Sequence, residues 1–130
     1  MIKFNELKPG DLVMAEYEGK KWEGVVKGLN HDEKEICVAT EVQDFWFTPE
    51  HLYPIPLNEQ QLYSLGFKKA EDGDGTKYMK DSFRLHIPRK DDFSNLEFWW
   101  REDRRILHHP INVHELQNHY YQMTKVELNK

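Results

Sequence analysis

From Leu7-Lys8-Pro9-Gly10-Asp11-Leu12-Val13 to Pro54-Ile55-Pro56-Leu57 the chain reads as a run of short strands joined by tight turns. Residues 12 to 17 alternate and meet Glu18-Gly19, a short turn into a second strand over about residues 21 to 29. The polar stretch Asn30-His31-Asp32-Glu33-Lys34 separates this hairpin from strands expected over residues 35 to 40 and 44 to 48. Pro49-Glu50-His51-Leu52 suggests a single helical turn that closes the unit. Strands this short cannot bury their faces as a flat sheet with open edges, so the pattern predicts a partly closed SH3-like β-barrel over residues 1–57. Gly24 and Gly28, four apart, are expected on one face of the second strand, where curvature or close backbone approach needs them. Barrels of this kind usually bind rather than catalyse, which sets a class of function and leaves the ligand open.

The second half, residues 58–130, predicts an α+β unit that packs with the first half as one compact domain. Asn58 is placed to cap a helix over residues 59 to 65 with Gln61 at the third helical position, while Leu57 and Leu62 form a staple. Gly66 stands where a left-handed terminator is needed, with Phe67 placed to touch Leu62. An extended stretch at residues 67 to 70, a turn at Glu71-Asp72-Gly73-Asp74-Gly75, and strands near residues 76 to 80, 82 to 87 and 96 to 101 follow. The last helix repeats the capping logic, with Asn112 and Glu115 as the box, Ile111 and Leu116 as the staple, and Val113, Leu116, Tyr120 and Met123 as an apolar stripe meant for the sheet. Taken together, the fold class is α+β: an SH3-like barrel followed by an antiparallel sheet packed with two short helices.

The strings Pro54-Ile55-Pro56-Leu57-Asn58-Glu59, Leu65-Gly66-Phe67 and Val113-His114-Glu115-Leu116-Gln117-Asn118, with Tyr120-Tyr121, carry a resemblance. The chain resembles a family of small proteins from Bacteroides-type gut bacteria that has no known activity. It departs from that pattern over residues 91 to 105, which are more charged, and at Lys125-Val126-Glu127-Leu128. The resemblance implies a fold and a bacterial, phage or mobile-element source rather than a reaction.

Charge and composition remove several classes of function. Residues 1–57 hold six Lys/Arg against eleven Asp/Glu and residues 58–130 hold twelve of each, so the net charge of -5 sits on the barrel half. An acidic barrel is a poor partner for phosphate backbones. No apolar run reaches the roughly 18 to 20 residues that span a bilayer, and no signal-peptide core is visible at the start, so a cytoplasmic protein without a membrane partner is expected. Cys37, the single cysteine, excludes an intrachain disulfide and reads as a packed, inert thiol between Ile36 and Val38. No Gly-rich phosphate loop precedes a helix, and no serine sits in a nucleophile elbow.

Three constellations remain. The triplets Phe45-Trp46-Phe47 and Phe98-Trp99-Trp100 place each middle tryptophan opposite its neighbours on a strand. Facing outward, Trp46 with Tyr17, Trp22 and Tyr53 would form an aromatic pocket for a cation or a peptide, and Trp99 would be a second binding residue. The blander reading, burial of both tryptophans where the two halves meet, is preferred on sequence grounds. Arg84 to Arg105 holds all five arginines among aromatics, which suggests single-stranded nucleic-acid binding through Arg84, Arg101, Arg104 and Arg105 with Trp99. Five acids against six bases in that stretch leave almost no net field, so a solvated face of cross-strand ion pairs is preferred. The histidines from His108 to His119 resemble a zinc helix, but His114 and His119 are five apart and therefore point about 140° away from each other. No metal site and no cofactor are expected. The sequence supports a non-enzymatic cytosolic binding or accessory protein with a protein or peptide partner. Its alternatives are a weak single-strand-binding factor and a metal-dependent enzyme built on His109 and His114.

Overall fold

The computed structural model describes residues 2–73 and 75–130. Among these residues are two antiparallel five-stranded sheets, two α-helices and two 3-10 turns, so the chain is mainly β with an α+β arrangement. By contacts it divides into two units, residues 2–55 with 112–118 and residues 56–111 with 119–130.

The first unit holds β1 (Leu12–Tyr17), β2 (Lys20–Asn30), β3 (Glu35–Ala39), β4 (Asp44–Phe47) and β5 (Leu52–Tyr53), in the order β4-β3-β2-β1-β5. Lys8-Pro9-Gly10-Asp11 enters β1 as a turn closed by the Asp11 N–H donating to the Lys8 carbonyl, with Gly10 at φ 96°. Only glycine takes that conformation cheaply, and proline before it presets the turn. A 3-10 turn (Pro49–His51) leads into β5, a two-residue strand the sequence pattern does not reveal. Among the described residues no ladder joins β4 to β5, so the sheet is not hydrogen-bonded into a closed barrel. Val13, Ala15, Val26, Ile36, Val38, Phe47 and Leu52 form its core with Ile2 and Leu7. The chain's regular alternation thus puts one face of each strand inward.

The shared face expected of Gly24 and Gly28 is not what forms. A bulge between Val26 and Gly28 shifts the register against β3, pairing Val26 with Val38 but Gly28 with Cys37. One extra residue exchanges the faces beyond it. Gly24 alone of the two meets a close neighbour: a Cβ there would lie 2.5 Å from the Val38 side chain and 2.8 Å from the Ala39 carbonyl oxygen. Gly24→Ala should therefore lower the urea unfolding free energy by about 1–3 kcal/mol, the usual range for overpacking. Gly28→Ala, with open space around it, should cost well under that.

The second unit holds α1 (Glu59–Ser64), β6 (Lys68–Asp72), β7 (Gly75–Lys80), β8 (Phe83–Ile87), β9 (Leu96–Trp100) and β10 (Asp103–Leu107), the strands forming a simple meander. The turn expected at residues 71 to 75 contains Asp74, which lies outside the described residues. The α1 caps match their sequence signals. Asn58 Oδ1 accepts from the Gln61 N–H at 2.9 Å, and Gly66 (φ 92°) sets up the paired terminal bonds Phe67 N–H to Leu62 carbonyl and Gly66 N–H to Tyr63 carbonyl. α2 (Val113–Thr124) follows Asn112, whose N–H donates to Glu115 Oε1 at 2.9 Å. The division between the units falls within α2, after Asn118. Tyr120 packs on Phe83 at 4.8 Å and His119 on Phe98 at 5.1 Å, so the second half of the helix covers the second sheet as expected of the stripe, whereas Val113 and Leu116 of the same stripe fall in the segment that groups with the first unit.

Beneath α1, the buried Tyr78 hydroxyl donates to Glu59 Oε2 at 2.6 Å, and Lys69 Nζ lies 3.0 Å from the same oxygen. The Tyr78 hydroxyl, followed by Lys69, holds the Glu59 carboxyl below its ordinary range. Protons therefore bind the unfolded state more readily. The contribution is complete above the ordinary glutamate value and is lost as pH falls through the lowered folded one. The stability difference between wild type and Glu59→Gln, read by urea unfolding, should shrink from about pH 7 to about pH 3.

Candidate functional site

The turn between β1 and β2 and the strand β4 position the aromatic residues of the first unit. Glu18 and Gly19 both have positive φ, 53° and 76°, the mirror-image turn that matches strand twist in two-residue hairpins. Asn is the customary first residue there. Glu18 holds the left-handed conformation at a cost of about 1 kcal/mol. The turn carries Tyr17 to the end of β1, where its ring stacks on Phe45 at 4.7 Å, and Phe45 meets Phe47 edge-on at 6.1 Å.

Two depressions flank this stack. One, of about 180 Å³, is lined by Tyr17, Trp22, Phe45 and Phe47 with Lys20 and Val42 at its margin. The other, a broader groove of about 500 Å³, has Tyr17, Phe45, Trp46 and Phe47 along it together with Glu16, Glu18 and Glu35. Its lining holds no lysine or arginine. None of the three carboxylates is in an ion pair among the described residues. The groove is therefore an aromatic surface edged by negative charge.

Burial of Trp46 and Trp99, the preferred expectation, is overturned: Trp46 is 54% exposed and Trp99 45%. Alternation sends Phe47 and Phe98 into the cores, as expected, but the opposite faces that carry the tryptophans are left open. Of the aromatic set, Tyr17 and Trp46 line the groove and Trp22 lines the adjoining pocket, which Tyr17 shares. Tyr53 lines neither. Its ring lies under the Lys21 ammonium, 4.1 Å from the centroid, so its π-face already has a cation. Glu16, Glu18, Glu35 and Phe45 were not predicted as site residues. The available signal was the Glu18-Gly19 turn, which fixes what projects beside Tyr17.

In the second unit Trp99 lies between Arg84 and Arg104, whose guanidinium carbons are 5.9 and 5.8 Å from its ring centroid. Arg101, in the turn after β9, stacks instead on Trp100 at 4.3 Å. Arg105 faces the other way and reaches His119 and Gln122, each at 2.9 Å. The four arginines thus do not act together. Arg104 also pairs with Glu97 at 2.8 Å, a contact of the cross-strand kind the sequence suggested.

The histidines have local partners. His108 Nδ1 is 3.2 Å from Asn95 Oδ1, His109 Nδ1 is 3.1 Å from the Pro110 carbonyl oxygen, and His114 Nε2 is 3.2 Å from Glu6 Oε2. No group of three His, Cys, Asp or Glu side chains arranged for a metal occurs among the described residues. Burial, reinforced by Asp44, pushes the half-buried Cys37 thiol above its ordinary value, away from the thiolate a nucleophile needs. No helix among the described residues is long and apolar enough to cross a membrane.

In comparisons with known proteins, the chain matches no family model, no curated protein and no solved structure.

Proposed function

We propose that this chain is a non-enzymatic, cytosolic binding or accessory protein whose first unit is an SH3-like barrel that holds a cationic segment of a protein partner. Support for the barrel comes from the order β4-β3-β2-β1-β5, in which a three-residue 3-10 turn links the two edge strands β4 and β5, and from the bulge in β2, a feature that bends strands. A source among small Bacteroides-type or mobile-element proteins belongs to the same reading, on the strength of the two helix motifs. The observation that carries the function is the groove beside Trp46: exposed aromatic rings, three unpaired carboxylates and no competing lysine or arginine in the lining. Ring faces and carboxylates both attract ammonium and guanidinium groups.

Fluorescence anisotropy with a labelled peptide alternating lysine and glycine, against one alternating glutamate and glycine, tests this reading. The cationic peptide should bind, and salt should weaken it. Trp46→Ala should raise its Kd about three- to thirtyfold, as loss of one cation–aromatic contact does. Glu18→Asn removes a groove carboxylate while relieving the left-handed strain, so affinity should fall without loss of stability. Equal binding of the acidic peptide, or an unchanged Kd in Trp46→Ala, would reject the groove.

A further inference from the structure

The acids and bases of residues 84 to 105 nearly cancel in sequence, but the second sheet separates them. Register places Lys68, Met79, Arg84, Trp99 and Arg104 in one cross-strand row, one residue each from β6, β7, β8, β9 and β10. Residues directly opposite in an antiparallel ladder share a face. Next to that row on the same face lie Lys77 of β7 and Glu97 of β9. Asp91 and Asp92 belong to the loop before β9, Glu102 to the turn after it, and Asp103, paired with Trp100, to the opposite face. Four cations therefore share the face that presents Trp99 with Glu97, which pairs with Arg104, and the register of β6 places Asp72 at the end of the same face. Beside the Trp99 ring is a cleft of about 200 Å³ edged by Lys77, Arg84 and Glu97.

We infer that this face of the second sheet binds single-stranded nucleic acid, with a base stacked on Trp99 and the backbone phosphates seated on Arg84, Arg104, Lys68 and Lys77. Charge complementarity selects an anionic ligand, and the tryptophan selects among anions. An acidic peptide has no ring to stack, and in a duplex the base faces are already occupied by their neighbours. Trp99 is also oriented in advance: its Nε1–H donates to the Arg101 carbonyl at 3.1 Å, which holds the ring on the sheet and lowers the ordering cost of stacking. Arg84 and Arg104 belong to strands on either side of β9, so their Cα atoms stand two strand spacings apart, roughly 10 Å. An extended backbone passing over the tryptophan can reach both.

The test is anisotropy of a fluorescein-labelled oligothymidylate of about twelve nucleotides at low salt, with a blunt duplex of equal length and a polyglutamate peptide as competitors. Binding of the single strand is expected, with both competitors much weaker. Trp99→Ala should raise Kd about five- to hundredfold, the range for one lost base stack. Arg84→Gln and Arg104→Gln should each reduce the slope of log K against log salt by about 0.7. Trp99→Phe keeps a ring and should restore most of the affinity, so the test survives if the alanine variant is poorly folded. No binding at low salt, wild-type affinity in Trp99→Ala, or equally effective competition by duplex or polyglutamate would each overturn the inference.

Discussion

Phe83→Ala is expected to destabilise the protein by about 3–5 kcal/mol. Phe83 starts β8 and is 1% exposed. Its ring meets Tyr120 at 4.8 Å, Phe98 at 5.8 Å and Phe67 at 6.1 Å, joining α2, β9 and the segment after α1 in one aromatic cluster. Truncation removes the transfer free energy of a whole ring and leaves a cavity between groups that are themselves rigid and held by strands and a helix, so little collapse can fill it. Phe83→Leu should recover a good part of the loss because it refills most of the volume. Urea unfolding of the three proteins measures both effects. A loss below about 1 kcal/mol for the alanine variant would show that this cluster does not organise the second unit.

Gln117→Leu is expected to cost about 2–4 kcal/mol although it makes the interior more apolar. Gln117 is fully buried, and its side-chain amide acts as a stand-in for a neighbouring strand: Oε1 accepts from the Leu12 N–H at 2.8 Å and Nε2 donates to the Gly10 carbonyl at 2.9 Å. Next to it Asn118 donates to the Glu6 carbonyl at 3.2 Å. Leucine has a similar volume but leaves the buried Leu12 N–H without its partner and takes the partner from the part-buried Gly10 carbonyl, and a buried group so orphaned costs about 1–3 kcal/mol. Amide exchange at Leu12 should quicken along with the fall in unfolding free energy. Unchanged exchange at Leu12 and a loss under about 1 kcal/mol would mean that water or a shifted backbone replaces the amide.

Local chemistry was the legible part of this chain. Asn58 and Gly66 bound α1 as their residue types require and β1 spans the residues its alternation marks, whereas the backbone that Gln117 and Asn118 bond lies more than 100 residues away in the chain and only the tertiary fold brings it to them. Two strands escaped. β5 has two residues, too short for any period, and it exists because β1 offers Met14 and Ala15 as partners. β10 reads Asp-Arg-Arg-Ile-Leu, a poor strand by composition, yet β9 supplies its hydrogen bonds and Phe98 and Trp99 supply its neighbours. The bulge in β2 was hidden for the same reason, since register is a property of two strands.

The candidate sites divide along the same line. Sequence alone determined that Trp46 and Trp99 stand opposite buried phenylalanines, because side chains alternate along any strand whatever surrounds it. It could not say whether the faces carrying them are covered, and the expectation of burial was wrong. Only the tertiary structure decided that both tryptophans are exposed, that Tyr17 and Phe45 stack beside three carboxylates, and that the guanidinium groups of Arg84 and Arg104 come to the Trp99 ring while those of Arg101 and Arg105 do not. Face and cap follow from stereochemistry within a few residues. Electrostatic neighbourhood follows from pairing between strands, and it gathered Arg84 and Arg104 of a stretch with almost no net charge with Lys68 and Lys77 on the face that carries Trp99.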